Sequence, residues 1–391
     1  ACPPERCEEA PREAGLVQTS LPEALAHVFL GGREPAVVAG THGKTTTTSL
    51  TAHLLNVAGQ DPGMLVGGVP LNFGEGFRLG AGEPFVVEGD EYDTAFFDKR
   101  PKFVHYRPQT AIITSIEFDH ADIYDSVETI EAQFDELVTL IPEHGLLLAA
   151  KSERVQARLH NAKCELLTYG VETDADWTAV DVEAKDGLRF FVAHDGTREG
   201  PYHLPLSGRH NLENAVAALA VARRRGATVE QVREGLASFL GVARRRRLVI
   251  DARGVRVLDD FAHHPTAVRL TLEGLREADV GRLWAIFEPR SATSSRAVFQ
   301  SEYAQAFAAA HEVIVAQVGR PEIPEDDRLN PARLAEELSH TGPRGRRIAA
   351  VDAIVRTVVA EARAGDTVVI MSNGGFGGIH SKLAQALKAR T

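Results

Sequence analysis

A glycine-containing loop between an apolar run and a helical pattern constrains the fold of this chain more than any other stretch. The apolar run covers residues 36–39, and the loop that follows reads Gly-Thr-His-Gly-Lys-Thr over residues 40–45. Apolar residues then recur at helical spacing until Gly59, which is typical of a helix end. The stretch therefore predicts a strand, a loop and a helix in immediate succession.

A strand–loop–helix unit of this kind is suited to phosphate binding. Its backbone N–H groups can converge on an anion, and the helix N-terminus adds positive potential. Lys44 can neutralise phosphate oxygens, and Thr45 can hold Mg²⁺. Val38 stands where the first glycine of the GxxxxGKS/T pattern would be, so the motif is the shorter GxxGKT. The predicted phosphate-loop residues are Gly40, Thr41, His42, Gly43, Lys44, Thr45 and Thr46.

The alternative to a phosphate loop is an ordinary strand-to-helix turn whose threonine caps the helix. The position of the motif between a strand and a helix favours the nucleotide site. Because Lys44 belongs to a loop, we also expect its side chain to lie at the surface with little packing.

Length, charge and cysteine content limit the classes of function that the chain can have. At 391 residues the chain is too long for one core and predicts two or three domains. Its formal net charge of -11 argues against nucleic acid as a partner. No apolar run approaches the roughly 20 residues that span a bilayer, and no signal pattern opens the sequence, so we expect a cytoplasmic protein without membrane insertion. The 3 cysteines, among them Cys2 and Cys7, fit neither a disulfide framework nor a zinc site.

Two acidic segments follow the next predicted strands. The strand at residues 85–88 runs into EGDEYD, and the strand at residues 111–116 runs into IEFDHAD. The carboxyl ends of parallel strands share one edge of a sheet with the phosphate loop, and hard oxygen ligands there suit Mg²⁺. We therefore predict that Glu91 and His120 bind metal; the alternative is a solvated acidic loop. The preceding residues 63–82 contain too many Gly and Pro residues for a regular element.

Three further stretches follow these segments. Residues 176–206 alternate apolar and polar side chains and predict an antiparallel insertion or edge. The string GRHNLENAVAALAVA predicts an alanine-rich helix, near whose start Asn211 and Asn214 either cap the helix or present amides to a base. Four arginines within residues 241–250 mark a boundary and form either a solvated edge or a clamp for anions.

A second series of alternating strands and helices follows residue 250. Strands are predicted at residues 255–258, 283–287, 313–316 and 367–371, and helices after Pro265 and at residues 297–310, 331–338 and 351–362. Alternation of this kind predicts a second doubly wound domain, so the fold class is α/β. The strings LDDFAHHPTA, with Asp260 and His263, and FEPRSATSS, with Arg290, both follow strands. We interpret the paired histidines as part of a polar active-site loop rather than as a zinc site.

Together these motifs resemble the Mur ligase family, the ATP-dependent amide-forming enzymes of peptidoglycan metabolism. The resemblance covers nearly all of residues 20–391, and the motifs occur in the family's order. They are GTHGKTTTT, the DE of EGDEYD, IEFDHAD, GRHNLENAVAA, the arginine run, DDFAHHPT and the C-terminal glycine loop in SNGGFGGIH. The resemblance implies a role in cell-wall biogenesis, and thereby in cell shape and division.

The resemblance implies a ligation that uses ATP and Mg²⁺. ATP would phosphorylate a carboxylate, an amine would attack the acyl phosphate, and a tetrahedral intermediate would collapse to amide and phosphate. The catalytic residues that it implies are Lys44, His263 and Arg290, and the metal ligands are Thr45, Glu91 and His120. Matching positions assign Asn211 and Asn214 to adenine, Arg245 or Arg246 to phosphate, and Asp260 to ribose.

Within the family, the segments EYDTAFFDKRPKFVHY, EFDHADIY, FEPRS and MSNGGFGGIH resemble one branch. Its members join recycled L-alanyl-γ-D-glutamyl-meso-diaminopimelate to UDP-N-acetylmuramate, so these are the expected small-molecule substrates. The branch that adds L-alanine usually has a His-Arg pair where Arg290 and Ser291 stand here. Three hypotheses compete with the expected branch: ligation of L-alanine, a ligase resembling folylpolyglutamate synthase, and a nucleotide-binding switch without ligation.

The resemblance also divides the chain. We expect residues 1–31 to be the remnant of an N-terminal uridine-binding domain and its linker, with most of that domain missing. Residues 32–242 would form the central ATP-binding domain of the P-loop type. Residues 243–391 would form a Rossmann-like, doubly wound ligase domain.

Overall fold

The structure, a computed structural model, describes residues 14–277 and 281–389. Cys2, Cys7 and the first part of the predicted N-terminal remnant lie outside these residues. The strands form a 10-stranded sheet, a 6-stranded sheet and a separate 2-stranded hairpin. Helices pack against both large sheets, so the predicted α/β fold class is confirmed.

The central sheet is built around its first strand, which leads into the predicted phosphate loop. Its strands and those of the hairpin are β1 (Glu34–Ala39), β2 (Gly63–Leu65), β3 (Phe77–Arg78), β4 (Pro84–Gly89), β5 (Asp93–Ala95), β6 (Asp98–Pro101), β7 (Thr110–Ile113), β8 (Leu146–Ala150), β9 (Glu165–Val171), β10 (Trp177–Ala184), β11 (Leu188–His194) and β12 (Thr197–Leu204). The order across the sheet is β12-β11-β10-β9-β8-β7-β1-β4-β2-β3, and β5 pairs with β6 in the hairpin. β1 pairs in parallel with both β4 and β7, so the loops after these three strands lie at one edge.

Helices bury both faces of this sheet. They are α1 (Leu21–Leu25), α2 (Lys44–Val57), α3 (Lys102–Tyr106), α4 (Val127–Leu140), α5 (Glu153–Gln156), α6 (Arg209–Arg224) and α7 (Val229–Ala237). α2 and α6 pack against each other, and the small side chains of Ala217 and Ala218 in α6 are fully buried. α4 contributes Phe134 and Leu137 to a second apolar cluster, which contains Val37 of β1. Because β1 is buried on both faces, the loop that follows it starts from a rigid position.

Two short strands lie in the glycine-rich passage, where we expected no regular element. β2 runs parallel to β4, and β3 pairs with β2 in the antiparallel direction. A Cβ atom on Gly63 would lie 2.3 Å from the ring of Phe85, so only glycine allows this close approach. The prediction for residues 63–82 was therefore wrong, because glycine here permits close strand packing instead of ending the strand.

The predicted antiparallel edge is confirmed. β11 pairs in the antiparallel direction with both β10 and β12, and β12 forms the edge of the sheet. Leu188, Phe190 and Val192 of β11 are buried at alternate positions. The alternation in the sequence therefore corresponds to one buried and one more exposed face.

The second sheet has the predicted doubly wound arrangement. Its strands are β13 (Arg247–Ala252), β14 (Val255–Asp260), β15 (Leu283–Phe287), β16 (Glu312–Val315), β17 (Arg344–Arg347) and β18 (Thr367–Met371). The helices are α8 (Pro265–Glu277), α9 (Gln300–Ala306), α10 (Pro331–Thr341), α11 (Val351–Glu361) and α12 (Ile379–Ala389). The order is β13-β14-β18-β15-β16-β17, in which all pairs are parallel except β13 with β14.

Three elements of this domain differ from the predictions. β17 was not predicted, because its sequence RGRR has no apolar residue and the strand forms an edge of the sheet. α12 was not predicted either, because it follows directly on the glycine loop. The helix predicted at residues 297–310 is shorter, with a 3-10 turn, Ala297–Phe299, before α9. Within the described part of the chain, every helix is too short or too polar to span a bilayer.

Candidate active site

The loop between β1 and α2 is held in place by the segment that follows β7. The N–H groups of Thr41 and His42 donate to the carbonyl and to Oγ of Ser115, both at 2.9 Å. Gly43 occupies the cap position of α2 with a φ of 83°, and no side chain caps this helix. The alternative of a threonine-capped turn is therefore wrong. A left-handed glycine at this point turns the loop into the helix without strain.

Lys44 is buried at the start of α2, so our expectation of an exposed loop lysine was wrong. Its Nζ donates to the carbonyl of Gly40 (2.6 Å) and to Oε2 of Glu91 (2.8 Å). Only 8% of the residue is exposed. Burial disfavours the ammonium, but Glu91 and Asp90 outweigh this effect and raise the pKa of Lys44 above its usual value. The side chain is therefore a fixed positive charge inside the loop.

The two acidic segments meet beside Lys44. Oε1 of the buried Glu91 lies 3.5 Å from Nε2 of His120, which belongs to the segment after β7. Thr45 Oγ1 donates to Oε1 of Glu88 at 2.9 Å. Since Glu91 is 1% exposed, the alternative of a solvated loop is wrong for this residue. Glu88 belongs to the acidic segment but was not predicted to have a role, and its carboxylate lies against the predicted metal ligand Thr45.

Glu91 has the chemistry of a metal ligand. Burial alone would raise its pKa, but Lys44 and His120 lower it to about 2, so the carboxylate is ionised at neutral pH. Its Oε1 is buried and makes no hydrogen bond to the described residues. The contact of this ionised oxygen with the imidazole of His120, 3.5 Å away, is long for a buried charge, and a cation would supply a closer interaction. The residues therefore fit Mg²⁺.

Asn211 and Asn214 lie in the first turns of α6, and neither caps the helix. Gly208 occupies the cap position, without a side-chain cap. Asn211 Nδ2 donates to the carbonyl of Ser207 (2.8 Å), and Asn214 Oδ1 accepts from Thr47 Oγ1 of α2 (3.1 Å). The capping interpretation is therefore wrong. Both asparagines line the same cleft as the phosphate loop, and their contact with a base stays a prediction.

The arginine run lies where the two sheets approach each other. The guanidinium of Arg246 donates to Ser207 Oγ (2.7 Å), and its backbone N–H donates to Oδ2 of Asp260 (2.9 Å). Arg245 is exposed, and its guanidinium lies 5.3 Å from the centre of the Phe261 ring. Asp260 is buried, and burial raises its pKa. Arg245, Arg246 and Asp260 all line the cleft, so the run is positioned to meet an anion there.

His263 and Arg290 follow strands of the second sheet but differ in position. His263 lines the cleft, and its Nδ1–H donates to the carbonyl of Phe261 at 3.0 Å. Burial lowers the pKa of His263, so its ring is neutral near pH 7. Arg290 is exposed and packs against Gly319 and Gly374 instead of lining the cleft. The neighbouring residues that do line the cleft are Ser291, Thr293 and Arg320.

Besides the contact of Arg246 with Ser207, three hydrogen bonds among the described residues join the second domain to the segment after β7. They run from Thr293 Oγ1 to Asp119 Oδ1 (2.6 Å), from Thr266 Oγ1 to Glu117 Oε2 (2.5 Å) and from His264 Nε2 to the carbonyl of Phe118 (3.0 Å). The acceptors all follow β7, and the donors follow β14 or β15. These pairs were not predicted, because the partners are 146 to 174 positions apart in the chain. The sequence did contain one indication that these residues could meet, since each of them follows a strand.

These groups surround one cleft of about 1550 Å³. Typical pockets for single small ligands are about 300–1,000 Å³, so this cleft has room for more than one substrate. One wall carries the phosphate loop and its acidic neighbours, and the other carries polar strand ends of the second domain. The fold and the cleft define a two-domain α/β enzyme of the phosphate-loop class.

Comparisons with known proteins assign the chain within this class. The family model of the Mur ligase middle domain matches residues 38–222, and that of the Mur ligase glutamate ligase domain matches residues 244–374. The chain belongs to the Mur ligase family. The resemblance stated from the motifs is confirmed.

Two of the following three relatives carry the name of the expected branch, and the third carries the name of the branch that adds L-alanine. The chain is 38% identical over 386 residues to the UDP-N-acetylmuramate–L-alanyl-γ-D-glutamyl-meso-2,6-diaminoheptandioate ligase of Haemophilus influenzae, covering 98% of this chain and 83% of that protein. It is 35% identical over 385 residues to the UDP-N-acetylmuramate–L-alanine ligase of Salinispora arenicola, covering 97% of this chain and 74% of the relative. The crystal structure of a murein peptide ligase from Psychrobacter arcticus is similar with a TM-score of 0.70 and 36% identity, covering 97% of this chain and 83% of that one.

Proposed function

We propose that the protein is a murein peptide ligase of the cytoplasm that functions in peptidoglycan recycling. It joins the carboxylate of UDP-N-acetylmuramate to the amine of L-alanyl-γ-D-glutamyl-meso-diaminopimelate and uses ATP to do so. The observation that carries this proposal is the 38% identity, over 98% of the chain, to a ligase named for these substrates. The cleft supports it, because both domains contribute polar groups to one space that can hold several substrates.

ATP binds with its β and γ phosphates on the loop between β1 and α2. Lys44 supplies a fixed positive charge, and the N-terminus of α2 adds positive potential. Asn211 and Asn214 are assigned to adenine, and Asp260 to ribose, because all three line the cleft that contains the loop. Arg245 or Arg246 contacts a phosphate from the second domain.

Thr45 and Glu91 would hold one Mg²⁺, and His120 would hold a second. Bound Mg²⁺ neutralises charge on the phosphoryl group that is transferred. Glu88, which accepts a hydrogen bond from Thr45, fixes the orientation of that hydroxyl. Lys44 keeps Glu91 ionised, so the carboxylate is in the protonation state that metal binding requires.

The ligation consists of two displacements. An oxygen of the muramoyl carboxylate attacks the γ phosphorus, and ADP leaves, which gives an acyl phosphate. The peptide amine then attacks the acyl carbon and loses a proton, and phosphate leaves as the amide forms. His263 is neutral, and its Nδ1–H is bound to the Phe261 carbonyl, so its Nε2 carries the lone pair that can accept a proton in this step.

The second candidate is ligation of L-alanine, since a relative with that name is 35% identical to the chain. The tripeptide carries several carboxylates, whereas L-alanine carries one. One arginine of the second domain suits the larger substrate: Arg320 lines the cleft, and its Nε donates to the carbonyl of Arg290 (3.2 Å). Arginine binds carboxylates with two parallel hydrogen bonds, so Arg320 favours the tripeptide.

Phosphate release from ATP tests the proposed function. We expect release only when UDP-N-acetylmuramate and the peptide amine are present together. Release from ATP alone would contradict ligation and favour a nucleotide-binding switch. Release that depends on a folate and glutamate would favour a ligase resembling folylpolyglutamate synthase.

A further inference from the structure

The segment after β7 carries a buried carboxylate whose partners lie on both sides of the boundary between the domains. Asp119 is only 6% exposed, and its Oδ1 accepts two hydrogen bonds. One comes from the backbone N–H of His120 (2.7 Å), and the other comes from Oγ1 of Thr293 in the second domain (2.6 Å). Asp119 therefore connects the second domain to the backbone of a predicted Mg²⁺ ligand.

The backbone of His120 has a conformation that depends on such contacts. Its φ is 54°, in the left-handed region that glycine adopts readily and other residues adopt rarely. On the other side of the residue, its carbonyl accepts from the N–H of Tyr124 (3.0 Å), whose hydroxyl donates to the carbonyl of Glu91. A residue persists in this conformation only where its surroundings hold it. The hydrogen bond to Asp119 therefore helps to determine where the imidazole of His120 points.

Thr293 belongs to a turn that is fixed to the end of β15. The N–H groups of Arg290 and Ser291 donate to Oγ of Ser294 (3.0 and 2.9 Å), and the N–H of Ser294 donates to Oγ of Ser291 (2.9 Å). Thr293 itself is 2% exposed. Because this turn is held by its own hydrogen bonds, the Thr293 hydroxyl moves with the second domain. It reaches Asp119 only when that domain lies against the segment after β7.

We propose that Asp119 is a positioning residue that couples the approach of the second domain to the placement of His120. The Thr293 hydroxyl fixes the Asp119 carboxylate, and the carboxylate fixes the backbone of His120. The imidazole is thereby held beside Glu91, whose Oε1 lies 3.5 Å from its Nε2. This inference rests on the proposed function, which assigns a Mg²⁺ ion to His120.

The coupling acts in both directions. If the joined domains place His120 for metal binding, then an ion bound at His120 favours the joined domains by the same factor. The metal site is therefore best formed when the second domain covers the cleft. An acyl phosphate made in that state is protected from water, which would otherwise hydrolyse it.

A second hydrogen bond across the same boundary provides a matched control. Thr266 Oγ1 of the second domain donates to Oε2 of Glu117 (2.5 Å), so it joins the same two partners as the bond from Thr293 does: the second domain and the segment after β7. Glu117, however, pairs with His42, 3.5 Å away, instead of with the backbone of His120. Thr266→Val therefore removes a hydroxyl that joins the domains but leaves Asp119 with both of its partners.

Equilibrium binding of Mn²⁺ in place of Mg²⁺ tests the coupling without turnover. The electron paramagnetic resonance signal of free Mn²⁺ is titrated with the protein and a non-hydrolysable ATP analogue, and His120→Ala identifies the site to which His120 contributes. We expect Thr293→Val to weaken this site by about fivefold or more, although Thr293 belongs to the other domain. Thr293→Ser keeps the hydroxyl and should bind Mn²⁺ as the parent does. Thr266→Val should lose clearly less affinity than Thr293→Val.

Asp119→Ala removes both hydrogen bonds, so the further change Thr293→Val should have no effect in that variant. Circular dichroism that matches the parent shows that the variants are folded. In the metal-free protein, amide hydrogen exchange of the peptide that contains His120 should be faster in Thr293→Val than in Thr266→Val.

Four results would overturn the coupling. They are parent-like Mn²⁺ binding by folded Thr293→Val, an equal loss of affinity in Thr266→Val, additive effects of Asp119→Ala and Thr293→Val, and a parent without a Mn²⁺ site that depends on His120. The proposed ligation is measured separately, by phosphate release that requires both substrates, so it can hold where the coupling fails.

Discussion

Lys44 links the phosphate loop to the acidic segment through one buried ion pair. Nζ of Lys44 lies 2.8 Å from Oε2 of Glu91, and the two residues are 8% and 1% exposed. The sequence alone gives the positive charge of Lys44 but does not predict its burial, because its partner Glu91 is 47 positions away in the chain. Loss of one member of a buried pair leaves the other charge without compensation.

We therefore expect Lys44→Met to affect both activity and stability. ATP turnover should fall by about a hundredfold or more, because the charge on the phosphates is lost. The free energy of unfolding should fall by about 3–5 kcal/mol, because the Glu91 carboxylate stays buried and unpaired. The double variant Lys44→Met/Glu91→Gln should regain most of this stability but no turnover. Denaturant unfolding and phosphate release measure the two effects; full turnover in Lys44→Met would exclude the nucleotide site.

Removal of either predicted metal ligand should change the Mg²⁺ dependence of ATP turnover. Glu91→Ala and His120→Ala should each raise the Mg²⁺ concentration for half-maximal activity by about tenfold, and excess Mg²⁺ should restore part of the rate. Asp93→Ala is the matched control from the same acidic segment, because Asp93 pairs with Lys99 (2.6 Å). Mg²⁺ titrations that are identical to the parent for both variants would remove these residues from the metal site.

His210 should make the protein less stable below neutral pH. Burial, together with Arg246 and Arg245, lowers the pKa of His210 from 6.5 to about 3. Below pH 6.5 the unfolded chain therefore binds a proton that the folded chain does not, and the loss reaches about 2 kcal/mol at pH 5. His210→Gln cannot titrate, so its free energy of unfolding should fall less between pH 7 and pH 5. Equal pH dependence in parent and variant would show that His210 is not buried in its neutral form.

At the scale of helices and strands, the elements that could be predicted are those whose signals lie within one short stretch of the sequence. The strand, loop and helix around Lys44 were found because their spacing and their glycines lie within one short stretch. β2 and β17 were missed because their pairing depends on distant strands, and RGRR carries no apolar signal. The hydrogen bonds between the domains and the position of Arg290 were missed for the same reason. The spacing of residues within one stretch does not predict which residues of the other domain they contact.

Substitution of Gly43 tests the conformation of the phosphate loop at the start of α2. Alanine there would adopt an unfavourable φ of 83°, and its Cβ would lie 2.6 Å from Oδ1 of Asn214. We expect Gly43→Ala to destabilise the protein by about 1–3 kcal/mol and to abolish nucleotide binding. Gly59→Ala is the control, because Gly59 has a φ of 77° with no atom within 4 Å. It should cost about 1 kcal/mol and leave nucleotide affinity intact; equal effects of the two changes would contradict the close approach of Asn214.

At the scale of the whole molecule, we expect the two domains to close on ATP, because both contribute residues to the proposed nucleotide site. The phosphate loop belongs to the central domain, whereas the arginine run and Asp260 belong to the second domain. Closure would also exclude water from an acyl phosphate that would otherwise hydrolyse. We expect the radius of gyration from solution scattering to decrease when an ATP analogue and UDP-N-acetylmuramate are added. Thr293→Val, which removes the bond to Asp119, should reduce that change, and a constant radius in the parent would argue against closure.

The choice between two amine substrates decides to which branch of the family the protein belongs. Phosphate release should be measured in the full-length gene product with ATP and UDP-N-acetylmuramate, and with either the tripeptide or L-alanine at matched concentrations. We expect kcat/KM for L-alanyl-γ-D-glutamyl-meso-diaminopimelate to exceed that for L-alanine by about tenfold or more, because cleft-lining groups that bind the extra carboxylates stay unpaired with L-alanine. Faster turnover with L-alanine would exclude the tripeptide as the preferred substrate and assign the protein to the branch that adds L-alanine.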